Sequence, residues 1–105
     1  MIMRTIFIAK DFSVYPGGRT PADGPYSGEE FRENFLMPIF KTNEIVCIDF
    51  DGVRGYGSSF LEEAFGGLIR NGISKEQIYS QIKFKSTKES IISEIIKYID
   101  LAAKI

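Results

Sequence analysis

Apolar positions along this chain change period several times, and each change marks an element. Residues 5–9 (TIFIA) are β-branched and aromatic, the composition of a strand. From Phe31 the spacing becomes helical, with Phe31, Phe35, Leu36 and Ile39 on one side. Residues 44–50 are a nearly continuous apolar run, expected of a strand covered on both faces. Phe60, Leu61, Ala64, Phe65, Leu68 and Ile69 return to helical spacing. Residues 81–86 (QIKFKS) alternate, which suits a strand with one wet face near an edge, where Lys83 and Lys85 discourage further pairing. The last helical face carries Ile91, Ile92, Ile95, Ile96, Ile99 and Ala103.

The punctuation agrees with these periods. Four stretches read as capping boxes: Ser27 to Glu30, Ser59 to Glu62, Ser74 to Gln77, and Ser86 to Glu89. The first opens a helix whose last turn Pro38 should distort, or which should end near Met37, because proline lacks an N–H. The second makes Ser59 an N-cap, worth about 1 kcal/mol. Asn71-Gly72 supplies a stop, and the third box opens a short helix through Tyr79. Gly66-Gly67 inside the second helix implies a close approach by another backbone or an irregular final turn. Residues 11–25 hold three of the four prolines and read as a long irregular loop. A further strand is expected within it, around Phe12–Tyr15.

This order of strands and helices predicts an α/β fold: one domain, residues 1–105, with a mixed sheet of about four strands and helices packed on it. Composition narrows the functions. A net charge of −1 gives no general attraction to nucleic acid or to anionic membrane. The absence of histidine removes Ser-His-Asp and Cys-His catalysis and histidine metal sites. The single cysteine, Cys47, lies among aliphatics and is expected to be buried and inert. The N-terminal apolar run is broken by Lys10 and Asp11, so neither a signal peptide nor a membrane span is expected there. A sequence pI of about 5.4 suits a cytoplasmic protein.

Candidate chemistry concentrates where the central apolar run ends. Asp49 and Asp51 are followed by Gly52, Arg54, Gly55, Tyr56 and Gly57, then by Ser58 and Ser59. In α/β domains, sites form where strand C-terminal ends meet helix starts. Asp49-Phe50-Asp51-Gly52-Val53 resembles the first motif of haloacid-dehalogenase-type phosphatases. That family also needs later acidic residues, and the only aspartate after Asp51 is Asp100, in the last helix. The glycine spacing matches neither a P-loop nor a dinucleotide fingerprint. Arg19, beside Gly17-Gly18, is a candidate anion-binding residue, with an ion-pairing role as the plainer reading.

IDFDGVRGYGSSFLEEAFGGL resembles the STAS domain, the sulfate transporter and anti-sigma-factor antagonist fold. Together with GPYSGEEFRENFLMPIF it is more closely similar to a bacterial STAS-like family of unknown function. The resemblance implies a non-enzymatic regulatory module that meets a protein partner through loop 52–59. By analogy with partner switching, that partner would be a kinase-like ATPase. Ser59, with Ser58 beside it, falls where regulatory members carry a phosphorylatable residue. A phosphate there would meet free amides and a favourable dipole, and would be opposed by Asp49, Asp51, Glu62 and Glu63. Two alternatives remain: a small-ligand or nucleotide site combining residues 16–19 with loop 52–59, and a phosphatase-like fragment using Asp49 and Asp51. No cofactor or metal is expected, and nothing in the sequence sets the oligomeric state.

Overall fold

The computed structural model describes residues 3–104. Its sheet has three strands, β1 (Met3–Phe7), β2 (Ile45–Asp49) and β3 (Ile82–Lys85), in the order β1-β2-β3. Both pairings are parallel: Ile6 lies beside Ile48, and Ile48 beside Phe84. The expected mixed sheet of about four strands is therefore a parallel sheet of three among the described residues. No strand forms around residues 12–15. Ile8 and Ala9, read as strand, instead begin a π-helical turn, Ile8–Phe12. That turn ends the strand by closing on itself, with Ser13 N–H donating to the Ile8 carbonyl at 2.8 Å.

Helix α1 covers residues 28–41 in three windings: α-helical Gly28–Phe31, π-helical Arg32–Leu36 and 3₁₀ Met37–Lys41. Of the two expected effects of Pro38 the distorted last turn is the one that forms: the winding tightens to 3₁₀ at Met37 and runs on to Lys41. Pro38 sits in the first turn of the 3₁₀ winding, where its missing N–H is not needed. Helix α2 covers residues 58–70, as Ser58–Leu61, π-helical Glu62–Gly66 and Gly67–Arg70. Its stop is the expected one: Gly72, at φ +93°, donates to the Ile69 carbonyl. Helix α3 is Lys75–Gln81 and helix α4 is Glu89–Ala103.

The Ser27 and Ser74 capping boxes form as read. Ser27 Oγ accepts from Glu30 N–H at 3.2 Å, and Ser74 Oγ from Gln77 N–H at 3.1 Å. The other two boxes do not. Gly57, not Ser59, is the N-cap of α2, and no side chain caps it. Lys88 is the N-cap of α4, while Ser86 Oγ accepts from Lys88 N–H and Thr87 turns elsewhere. A box missed in the sequence, Thr20 to Asp23, closes a 3₁₀ turn in the long loop.

Ile6, Val46, Ile48 and Ile82 point to the core with Phe31, Phe60, Phe65, Leu68, Ile95 and Ile99. The opposite face of the sheet is open, contrary to expectation. Met3 and Phe7 are exposed there, and Ile45 and Cys47 are only half-buried. Cys47 lies between Thr5 and Lys83, so its cover comes from neighbouring strands. A central strand gains this lateral shelter without any helix above it, and its sequence then resembles that of a doubly covered strand.

Helix α2 is the inner helix. Gly28 lets α1 approach it closely: a Cβ there would meet the Phe60 carbonyl oxygen at 2.7 Å and Glu63 Cβ at 2.8 Å. Gly67 makes room for a side chain rather than a backbone, because its missing Cβ would collide with the Arg32 guanidinium. Arg32 is only 6% exposed. It donates to the Glu63 carbonyl at 2.8 Å, to the Glu63 carboxylate at 2.7 Å and to Glu33 at 3.0 Å. A buried guanidinium needs such a full set of acceptors.

Candidate functional site

The C-terminal ends of β2 and β3 bring together residues that the sequence separates. Asp49, 7% exposed, accepts the Asp51 amide at 2.9 Å and lies 3.8 Å from Lys85 Nζ. Asp51 Oδ1 accepts both the amide and the hydroxyl of Thr87, at 2.9 and 3.0 Å. These bonds, the backbone one first, hold the Asp51 carboxyl below its ordinary range. The two aspartates thus tie the β2–α2 loop to the segment that enters α4. Among the described residues, no group of three histidines, cysteines or acids is placed to hold a metal ion.

Gly52 takes φ +87°, which a side chain would strain, and it passes close to Ala9. Gly55 and Gly57 stand in open space. Tyr56 is a strut of the loop: its hydroxyl donates to the Phe50 carbonyl at 2.8 Å, and its ring packs on Phe50 and Phe60. Burial first, then Asp49 and Asp51, raise its hydroxyl pKa above the usual tyrosine value. Arg54 is exposed. Its amide donates to the Val14 carbonyl at 2.9 Å, and its guanidinium lies 5.9 Å from the Tyr15 ring centre. Tyr15 is the most exposed large apolar side chain described, at 65%.

Ser58 and Ser59 are exposed at the first turn of α2, and neither caps the helix. The acids of the next turn are neutralised. Glu62 is held by Arg19 at 2.6 Å and Arg70 at 2.8 Å, while Glu63 is held by Arg32 at 2.7 Å and Arg19 at 3.3 Å. Arg70, then Arg19, lower the Glu62 pKa. Arg19 is therefore an ion-pairing arginine here, already facing two carboxylates. Residues 17–19 bond to Tyr26, Gly28, Glu29 and Asp23, and the long loop meets loop 52–59 where the Arg54 amide donates to Val14.

A cavity of about 300 Å³ opens between this loop and the start of α4. Phe50, Tyr56 and Ile91 supply apolar walls, Asp51 and Glu94 the acids, and Lys88 a basic rim. Sequence reading missed this part. Thr87 and Lys88 read only as the middle of the Ser86 to Glu89 capping box, and Glu94 carried no signal.

The matching of loop and helix to a family model decides the family. The model of the STAS-like domain of unknown function (DUF4325) matches residues 27–91. The chain belongs to that family. The matched region of this STAS-like domain runs from the Ser27 cap through the loop and α2 to the first turn of α4, and so contains every residue of the cavity except Glu94. Neither the curated proteins nor the solved structures compared with the chain gave a match.

Proposed function

We propose that this STAS-like domain is a regulatory protein-interaction module that presents loop 52–59 and the first turn of α2 to a protein partner. The carrying observation is the state of Ser58 and Ser59: two exposed hydroxyls at a helix start that perform no capping. Exposed Arg54 and Tyr15 beside them are residue types that concentrate binding energy at protein interfaces. Modification of Ser59 would act as the switch. A phosphate there would face orphan amides of α2, and the acids one turn on are already paired with arginines. The gain would be charge and shape on an intact helix, enough to reject a docked partner such as a kinase-like ATPase.

Pulldown from the native host with wild-type, Ser59→Ala and Ser59→Asp chains tests this. Ser59→Ala should retain a partner that Ser59→Asp releases, and Arg54→Ala should weaken the same complex at least tenfold. Equal recovery by all four chains sinks the proposal.

A further inference from the structure

The cavity between loop 52–59 and α4 has a chemistry that the interaction reading does not use. Glu33, Glu44, Glu62, Glu63, Asp49 and Asp100 face cations, while the remaining acids, half-buried Glu29 and Glu30 among them, close no salt bridge among the described residues. Asp51 and Glu94, both half-buried on this cavity, close no salt bridge among the described residues. Lys88 stands exposed at the rim and reaches neither within 4.0 Å. Glu94 accepts one hydrogen bond, from Tyr98 Oη at 2.6 Å to Oε2. Two acids not paired with a cation therefore share a pocket with the aromatic walls of Phe50 and Tyr56 and the aliphatic wall of Ile91.

Carboxylates combined with aromatic faces recognise organic cations, and small-ligand cavities begin at about this volume. We propose that this cavity binds a primary alkylammonium group: the ammonium between Asp51 and Glu94, the alkyl stem along Phe50, Tyr56 and Ile91. Anionic ligands are disfavoured because two acids outnumber the single rim lysine. The inference stands on the cavity and does not rest on Ser59 acting as a switch.

The test is an amide-resolved NMR titration of the full chain with n-pentylamine hydrochloride at neutral pH, against 1-pentanol as the uncharged match. The amine should shift amides of residues 51–56 and 87–94 saturably, at least tenfold more tightly than the alcohol. Glu94→Gln should weaken the amine about tenfold and leave the alcohol unchanged. Ile91→Trp, with a dispersed spectrum confirming its fold, should abolish both. A second arm replaces the amine with Nα-acetyl-lysine methylamide and its Nε-acetylated form. Shifts with the lysine compound alone identify a lysine side chain as the source, and shifts with pentylamine alone identify a free amine. No saturable shift with either cation, or equal binding of amine and alcohol, overturns the proposal. Because the readout is independent of any partner, that result leaves the pulldown experiment unaffected.

Discussion

The contact between Arg32 and Gly67 makes a prediction in which one substitution changes sign with its background. In the native chain, Gly67→Ala places a methyl against a guanidinium held by three hydrogen bonds, so the arginine cannot step aside. Overpacking of this kind costs about 1–3 kcal/mol, and the helix propensity gained from alanine returns only about 1 kcal/mol. The net loss should be ~0–2 kcal/mol. Arg32→Ala removes the obstruction but strips the Glu63 carbonyl of its side-chain donor and leaves the carboxylate only the longer hydrogen bond from Arg19. Breaking a buried pair in this way costs about 3–5 kcal/mol. Gly67 has helical φ and ψ of −61° and −24°, so in the Arg32→Ala background Gly67→Ala should stabilise by about 1 kcal/mol. The coupling is then roughly 1–3 kcal/mol, within the range seen for contacting residues. Urea denaturation followed by far-ultraviolet circular dichroism measures all four chains; tryptophan fluorescence is unsuitable because the chain has no tryptophan. If Gly67→Ala costs the same in both backgrounds, to within about 0.5 kcal/mol, the guanidinium is not what requires glycine there.

Two further outcomes follow from the caps and the acids. Ser74→Ala should lower stability by about 1 kcal/mol, while Ser59→Ala should stay within about 0.5 kcal/mol of wild type, since only the first hydroxyl caps a helix; equal losses in thermal or urea melts would restore Ser59 to the role of cap. Glu62 has a folded-state pKa depressed below the ordinary 4.5 by Arg70 and then Arg19. Its contribution is complete above that ordinary value and is lost as pH falls through the depressed one. The urea midpoint should therefore drop on acidification, and the drop should be smaller in Glu62→Gln; an identical pH profile would contradict the ion-pair assignment.

The elements were legible where a local rule decided them. The Ser27 and Ser74 boxes formed because each stands alone before a helical period. The Ser59 box failed although its residues are right, because Gly57 takes the extended conformation two residues earlier and draws both serines into the helix. The open sheet face was illegible because Cys47 and Ile45 are sheltered by flanking strands, and a one-dimensional pattern does not separate that from cover by a helix. The aspartates were found, but their partner Thr87 was not, since its link to Asp51 depends on how β3 lies beside β2. Arg32 stood among Glu29, Glu30 and Glu33 on its own helix, with nothing in the sequence to show that Glu63 and Gly67 would receive it.

The all-parallel register also bears on how the chain reaches this state. Parallel neighbours are never joined by a hairpin, so β1 meets β2, and β2 meets β3, only after an intervening helical stretch has been traversed. The sheet is thus the part of the molecule with the largest loop-closure entropy and the least local guidance. Order should begin in the helices, with their capped ends and the close crossing at Gly28, and the three strands should zip together last. During that interval Met3, Phe7 and Cys47 stand beside unpaired backbone, so the slow step of folding is also the one most sensitive to protein concentration.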